Sequence, residues 1–264
     1  SWVNDNTSIG LAASGSGNNI SFTAASNTTG ADITANIRVT PINNGCIGPD
    51  EVFTIILKPT PVISTISDLE LCSEEFVSIP FTVDLPNPNL NVSISDNSLI
   101  NGNISIINNN IEFTTAVNTT GVDQTATISL NAEKNGCTNV ETFTLTLKYR
   151  PVISSLPDRA SVCPNETIAG QTFSHDVGTG SFAWEITNPL LIGDATPTSG
   201  SGNLPSFQAA NNLTGEEIIG YVKYYSARNA CLSVADSFKI SIKPAPVITN
   251  TDIIFCDDEE ANIS

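Results

Sequence analysis

Residues 141–148 read Glu-Thr-Phe-Thr-Leu-Thr-Leu-Lys, a stretch that alternates between apolar and polar side chains. Phe143, Leu145 and Leu147 fall on one face and the threonines on the other, which is the period of a β-strand buried on one side. Two other stretches alternate in the same phase, and their apolar positions are Phe53, Ile55, Leu57 and Phe238, Ile240, Ile242. The sequence therefore predicts that one core-facing strand is built three times.

A period of about 90 residues relates these stretches, and other motifs share it. An Asn-x-Thr-Gly motif begins at Asn27, Asn118 and Asn212, which are 91 and 94 residues apart. Each copy is followed by a turn that ends in a cysteine: Asn44-Gly45-Cys46, Asn135-Gly136-Cys137 and Asn229-Ala230-Cys231. Because Asn-Gly favours tight hairpins, these turns predict that two paired strands flank each one.

Pro-Val-Ile sequences beginning at Pro61, Pro151 and Pro246 mark the passage from one repeat to the next. We expect a first, partial repeat at 1–58, a complete second repeat at 59–148 and a complete third repeat at 149–243. Residues 244–264 repeat only the opening of a further one. The sequence is thus expected to be an interior segment of a longer array, and it contains no Met and no signal peptide.

The predicted fold is all-β, with tandem immunoglobulin-like β-sandwiches forming an elongated rod. No window places apolar residues at helical spacing over the length that a globular helix needs. Short strands with frequent turn signals, in a repeat of about 90 residues, are typical of immunoglobulin-like sandwiches. Pro151 comes only four positions after Leu147, and proline restricts its own φ, so we expect a semi-rigid connection.

Composition excludes several classes of partner. The formal net charge is -17 and the isoelectric point is near 4.1, so nucleic acid and anionic membranes would be repelled. No apolar run is long enough to span a bilayer, and direct membrane insertion is not expected. Neighbouring repeats of the same polypeptide are the expected partners, with an extracellular surface or a polysaccharide as a further candidate.

Six cysteines and a single histidine, His175, indicate disulfides in an oxidising compartment more than a zinc site. Each complete repeat has one early and one late cysteine. The preferred pairs are therefore within repeats, Cys72 with Cys137 and Cys163 with Cys231, leaving Cys46 and Cys256 with partners outside the segment. An alternative pairs cysteines across the junctions: 46 with 72, 137 with 163 and 231 with 256.

No catalytic residues are predicted, because His175 lacks a serine on a Gly-x-Ser-x-Gly elbow. The expected cofactor is none, with calcium as the alternative. Hard cations take oxygen ligands, and the candidate ligands are Glu74, Glu75, Asp257 and Asp258. A solvated acidic face is the preferred interpretation, because the third copy, Pro164-Asn165-Glu166, has only one carboxylate.

Aromatic residues and sequons offer further candidates. Trp2 and Trp184 occupy equivalent places and are expected to be core residues. An exposed stripe of Tyr221, Tyr224 and Tyr225 would favour carbohydrate binding. Asn-x-Ser/Thr sequons are compatible with a surface location, and they begin at Asn6, Asn19, Asn27, Asn91, Asn103, Asn118, Asn165, Asn212 and Asn262.

The Pro-Val-Ile junction, the opening Val162-Cys163-Pro164-Asn165-Glu166, the aromatic Phe182-Ala183-Trp184 and the closing Phe-x-Leu-x-Leu-Lys strand together resemble PKD-like (polycystic kidney disease-like) repeats. Such repeats occur in giant surface adhesins of Bacteroidota. The resemblance implies export by type IX secretion, display at the outer membrane and mechanical or adhesive work, including gliding motility. It implies no catalytic residues.

The predicted function is therefore that of a structural or adhesive segment of a large secreted cell-surface protein. The first alternative is a spacer between the domains of a large secreted enzyme. The second is a set of carbohydrate-binding modules, which would require exposed aromatic side chains.

Overall fold

The junction at Pro151 coincides with a division of the chain into two compact units, Ser1–Tyr149 and Arg150–Ser264. A computed structural model describes residues 1–176, 178, 180–193 and 197–248. The first unit takes in the first and second repeats, and the second unit takes in the third repeat.

The first repeat has one four-stranded sheet, in the order β2-β1-β3-β6, and a small β4-β5 hairpin. A 3₁₀ helix at Thr7–Ile9 follows the first strand. The strands are β1 (Trp2–Asn4), β2 (Ser14–Gly15), β3 (Ile33–Val39), β4 (Ile42–Asn43), β5 (Cys46–Ile47) and β6 (Glu51–Leu57).

The second repeat is a sandwich of two sheets, with orders β10-β11-β8 and β7-β13-β12-β9. Its strands are β7 (Leu69–Leu71), β8 (Phe76–Pro80), β9 (Asn89–Ile94), β10 (Ser105–Ile107), β11 (Asn110–Thr114), β12 (Gln124–Lys134) and β13 (Cys137–Leu147). All neighbouring strands are antiparallel except β7 and β13, which are parallel. One core, including Ile111 and Phe113 from the first sheet and Leu130 and Leu145 from the second, lies between the sheets.

The third repeat has a two-stranded sheet, β14-β17, and a five-stranded sheet in which β16-β15-β18-β19 are neighbours and β20 also pairs with β18. Its strands are β14 (Thr167–Ile168), β15 (Ser181–Ile186), β16 (Ser199–Ser201), β17 (Phe207–Gln208), β18 (Ile218–Arg228), β19 (Cys231–Leu232) and β20 (Asp236–Ile242). Ile168 and Phe207 pack with Trp184 and Val222 in one core.

The all-β prediction is confirmed, and the chain consists of β-sandwich repeats. The helical elements of the described residues are 3₁₀ turns of three residues, at Thr7–Ile9, Asn97–Leu99 and Pro189–Leu191. An Asn or Asp side chain caps each turn by accepting from the backbone N–H two residues later. The caps are Asn6, Asp96 and Asn188, and they follow the same period as the other motifs.

Strand registers show which residues are equivalent. Phe143 pairs with Ile128 and Phe238 pairs with Val222, and both phenylalanines are buried as predicted. Phe53 pairs with Ile37 at the same place in the first repeat but is 46% exposed. The reason is that residues 1–58 contain no counterpart of the early residues that share the core with Phe143, among them Ile63 and Phe81.

The three predicted turns are two-residue hairpin loops. Their paired flanking residues include Lys134 with Cys137 and Arg228 with Cys231. Both central residues have positive φ in every copy, as type I′ turns require: 50° and 82°, 53° and 84°, then 49° and 67°. In the third copy, Ala230 adopts a conformation that costs a non-glycine residue free energy.

Candidate functional site

The cysteines lie at the two ends of each repeat, and their oxidation states differ. Cys72 and Cys231 are disulfide-bonded. Cys46, Cys137 and Cys163 carry free thiols. Neither preferred pair is therefore formed, and the prediction of Cys72 with Cys137 and of Cys163 with Cys231 is wrong in this structure.

The distance along one strand explains this correction in the second repeat. Leu71, next to Cys72, pairs with Leu147 at the last residue of β13, whereas Cys137 is the first residue of that strand. Eleven residues of β-strand span about 33 Å. Because a disulfide needs Cα atoms within about 7 Å, the two cysteines cannot bond inside a folded repeat.

The third repeat has the same arrangement. Val162, next to Cys163, bridges to Ile242, which pairs with Ile218 at the start of β18. Cys231 pairs instead with Arg228 at the other end of that 11-residue strand. The alternative pairs 46 with 72 and 137 with 163 are not formed either, because each contains a free thiol. Cys256 lies outside the described residues, so the pair 231 with 256 stays a prediction.

The acidic residues beside the early cysteines close a turn. The Cys72 N–H donates to Glu75 Oε2 at 3.0 Å, and the Cys163 N–H donates to Glu166 Oε2 at 2.9 Å. Glu74 has a φ of 61° in the first of these turns. The repeated carboxylate thus has a structural task that sequence reasoning missed, although a glutamate three residues after each cysteine was the available signal.

The described residues contain no group of three or more His, Cys, Asp or Glu side chains suited to a metal ion. Asp257 and Asp258 lie outside those residues. Calcium binding by Glu74, Glu75, Asp257 and Asp258 stays a prediction.

The Asn-x-Thr-Gly motif is a buried corner that ties the closing strand to the preceding loop. Asn118 Nδ2 donates to the carbonyls of Val122 and Leu147, both at 2.9 Å. Its Oδ1 accepts from the Thr120 N–H and hydroxyl at 3.1 and 2.8 Å. Asn27 and Asn212 make the corresponding bonds. All three asparagines are buried. The repeated motif therefore stabilises the fold of each repeat and is not a surface feature that a ligand could contact.

A Gly-rich loop recurs as Ser14-Gly15-Ser16-Gly17-Asn18 and Ser199-Gly200-Ser201-Gly202-Asn203, and each copy lies against a tryptophan. Trp2 pairs with Gly15, and Trp184 pairs with Gly200. A Cβ atom added at Gly200 would lie 2.6 Å from Trp184 Cζ2, and one at Gly15 would lie 2.2 Å from Trp2 Cζ2. Both indoles are buried, which confirms the expectation that they are core residues.

The exposed stripe of Tyr221, Tyr224 and Tyr225 that would favour carbohydrate binding is not formed, because Tyr224 points into the core. Its hydroxyl has two acceptors within hydrogen-bond distance, the Ser154 carbonyl at 2.9 Å and Asp236 Oδ2 at 3.2 Å. Burial, and then the neighbouring Asp236 carboxylate, raise the pKa of Tyr224 to about 12. Tyr221 and Tyr225 are 45% and 37% exposed.

The single histidine is part of the packing of the third repeat. The His175 ring lies 5.0 Å from the Phe182 ring, centroid to centroid, and His175 bridges to Ile153 at the start of the repeat. These contacts place it beside the aromatic core and the incoming chain, which agrees with a structural role.

Comparisons with known proteins give low sequence identity and low structural similarity. No protein-family model and no curated protein sequence matches the chain. Among solved structures, the titin I-band fragment I67-I69 is 10% identical, with a TM-score of 0.36, covering 83% of this chain and 76% of that chain. Drosophila OTK extracellular domains 3-5 are 9% identical, with a TM-score of 0.36, covering 81% and 71%.

Mouse cadherin-23 EC22-24 is 10% identical, with a TM-score of 0.29, covering 93% of this chain and 86% of that chain. The assignment of the fold rests on the sheets and registers of the repeats themselves. The part of the chain that the structure describes includes no helix with the length and apolar character needed to cross a membrane.

Proposed function

We propose that the chain is a structural and adhesive segment of a large secreted surface protein, built as a rod of tandem repeats. One observation carries the proposal: the side chains repeated in all three copies hold the backbone together. The buried asparagines, the 3₁₀ caps and the Asn-led turns are all of this kind. The residues that the copies have in common are thus structural. This is expected of a spacer in which every repeat must stay folded.

The finer expectation is a surface protein of Bacteroidota, exported by type IX secretion and similar to the gliding-motility adhesin SprB. Its support is the sequence resemblance, together with the negative net charge, which disfavours binding to nucleic acid. The proposed boundaries are 1–58, 59–148, 149–243 and 244–264. We also propose that the chain is not an enzyme and that it has no cofactor, with calcium as the alternative.

Scattering and adhesion measurements test the two parts of this proposal separately. Small-angle X-ray scattering of the full chain should give a maximum dimension that increases by a constant step for each added complete repeat. A dimension that stays nearly constant as repeats are added would contradict the rod.

For adhesion, beads coated with the chain should resist shear on glass and on agarose more than beads coated with serum albumin. If beads coated with the chain and beads coated with albumin are released equally easily, the adhesive part of the proposal is contradicted and the spacer alternative remains. A Tyr221→Ser, Tyr225→Ser double variant removes the exposed tyrosines and leaves Tyr224 in the core. Loss of binding to agarose alone in this variant would favour the carbohydrate-binding alternative.

A further inference from the structure

The outer face of the sheet in the first repeat contains a cavity of about 210 Å³. Its lining side chains are Val3, Asp5, Asn36, Arg38 and Val52. Arg38 lies on the middle strand, β3, and it pairs with Val3 on one side and with Val52 on the other. Both valines are exposed. The cavity is therefore a shallow site with an arginine between two apolar side chains.

Strand register locates the same three positions in the other repeats. The middle residue of each set directly follows the residue that pairs with the phenylalanine of the closing strand. The sets are Val3, Arg38 and Val52 in the first repeat, Ser93, Ser129 and Thr142 in the second, and Glu185, Lys223 and Ser237 in the third. The three copies thus differ at this place on the outer face, although their cores repeat.

The third repeat shows how a cation at the middle position is paired. Lys223 Nζ lies 3.9 Å from Glu185 Oε1, on the strand beside it. In the first repeat, Val3 takes the place of that glutamate. Among the residues that the structure describes, no carboxylate forms an ion pair with Arg38 and no acceptor bonds its side chain. The N–H groups of this guanidinium are therefore available to a ligand.

Asp5 supplies fixed acceptor atoms in the same cavity. Its Oδ1 accepts from the Asn36 N–H at 2.7 Å, and its Oδ2 accepts from Asn36 Nδ2 at 2.9 Å. The backbone bond and then the side-chain bond lower the pKa of Asp5, so the carboxylate stays ionised. Because each carboxylate oxygen has room for a second hydrogen bond, Asp5 can still accept from the hydroxyl groups of a ligand.

These groups together define the ligand that suits the cavity. An arginine fork binds a carboxylate through two parallel hydrogen bonds. Asp5 accepts from hydroxyl groups, and Val3 and Val52 offer apolar contact to the C–H surface of a sugar ring. A sugar acid uses all of them at once. The net charge of -17 disfavours a densely anionic polymer and favours one with isolated acid groups.

We propose that this cavity binds a uronate residue of an otherwise neutral extracellular polysaccharide, with Arg38 holding the ligand carboxylate. That carboxylate takes the place that Glu185 occupies beside Lys223 in the third repeat. The inference rests on the adhesive part of the proposed function, and it names both the ligand class and the repeat that binds it.

Titration of the full chain with sodium glucuronate tests the site directly. Methyl-labelled valine lets the signals of Val3 and Val52 report binding by NMR. Glucose, which lacks the carboxylate, and sodium acetate, which lacks the hydroxyl groups, are the control ligands. We expect saturable shifts of both valines, with a dissociation constant about tenfold lower for glucuronate than for either control. The absence of saturable shifts, or equal affinity for glucuronate and acetate, would overturn the site.

Variants on the exposed face provide matched controls. Arg38→Gln should weaken glucuronate binding about tenfold, whereas Lys223→Gln, at the equivalent position of the third repeat, should leave it unchanged. Val3→Glu rebuilds the pair of the third repeat and should block the site while Arg38 is still present. Thermal unfolding verifies that each variant is folded. Binding as tight as that of the parent chain in Arg38→Gln or in Val3→Glu would contradict the proposal.

Affinity electrophoresis extends the test to a polymer. Glucuronoxylan should retard the chain more than unsubstituted xylan, and Arg38→Gln should remove the difference. Equal retardation by the two xylans would overturn the uronate site. The bead assay reports adhesion separately: beads that resist shear without any uronate preference would contradict the site alone. Glucuronate binding by a chain whose beads are released like albumin beads would contradict the adhesive function and leave the site standing.

Discussion

The second and third repeats have equivalent closing strands, β13 and β20. They differ in the sheet that one short strand joins, β10 in the second repeat and β16 in the third. In the third repeat, β16 pairs with β15, and Trp184 lies across from Gly200. In the second repeat, β10 pairs with β11 in the opposite sheet, and the position of Trp184 is occupied by Val92. The equivalence follows from register, since Trp184 pairs with Tyr224 and Val92 pairs with Leu130.

This difference shows how the tryptophan side chain determines which sheet the short strand joins. An indole placed over a neighbouring strand requires a residue without a Cβ beneath it, and Gly200 satisfies that requirement. The first repeat combines Trp2 and Gly15 in the same manner, and its β2 also pairs with the tryptophan strand. Where valine replaces tryptophan, the strand is free to complete the other sheet.

The largest expected effect is the loss of this tryptophan. Trp184→Ala should lower the free energy of unfolding of the third repeat by about 3–5 kcal/mol, because it opens a large cavity. Val92→Ala, at the half-buried equivalent position, should cost about 1 kcal/mol. Hydrogen exchange followed by mass spectrometry in the full chain reports each repeat separately. Equal losses in the two repeats would show that the indole has no special part in the third.

The corner asparagines should behave alike in both repeats. Asn118→Ala and Asn212→Ala each leave buried backbone groups without partners, which costs about 1–3 kcal/mol per site. The exposed Asn103→Ala is the control and should change stability little. Urea midpoints with local hydrogen exchange are the measurement. If the losses in free energy of unfolding differ by more than about 1 kcal/mol, the two corners are not energetically equivalent despite their corresponding hydrogen bonds.

The hairpin turns should respond in opposite directions. Ala230→Gly relieves a positive φ and should stabilise the third repeat by about 1 kcal/mol, whereas Gly136→Ala should destabilise the second by a similar amount. Thermal unfolding of the two variants measures both changes. Destabilisation by Ala230→Gly would mean that the alanine methyl group contributes packing that outweighs its backbone strain.

The smallest expected effect is a dependence on alkaline pH confined to the third repeat. The pKa of Tyr224 is raised to about 12, and an unfolded tyrosine ionises near pH 10. Folding therefore favours the protonated phenol, and this contribution is complete below pH 10 and is lost as pH rises towards 12.

Trp184 fluorescence in a Trp2→Phe background gives the urea midpoint at each pH. The midpoint should fall over this range, and Tyr224→Phe should flatten the fall. The second repeat has Leu130 at this position, so no phenol there adds to the dependence. An unchanged slope in Tyr224→Phe would assign the effect to other groups.

Alternation and turn signals were sufficient to predict the strands, because both are local properties of the chain. Phe143 and Phe238 are buried as their periodicity indicated. The cysteine pairing was not predictable in the same way. Spacing shows which repeat contains Cys72, but only the parallel pairing of β7 with β13 places it about 33 Å from Cys137.

The corner asparagine shows a different limit. Asn and Thr two residues apart, present in all three copies, were a sufficient signal for a shared hydrogen-bonded turn. The signal did not say that the side chain reaches the end of the closing strand, as Asn212 does at Ile242. That contact joins residues 30 positions apart and depends on tertiary structure.

The same corner also bears on biosynthesis. Asn27, Asn118 and Asn212 each begin an Asn-x-Thr sequon, and the atom that an oligosaccharyltransferase would modify is the Nδ2 that already gives both of its hydrogens to carbonyls. A glycan added to the nascent chain would remove one of those hydrogens and place a bulky, hydrated sugar where the folded repeat has no room. Production through a eukaryotic secretory pathway would therefore yield misfolded chains. Replacing the threonines would remove the sequons but also the hydroxyl that bonds the corner asparagine, so a host without that enzyme is the better choice.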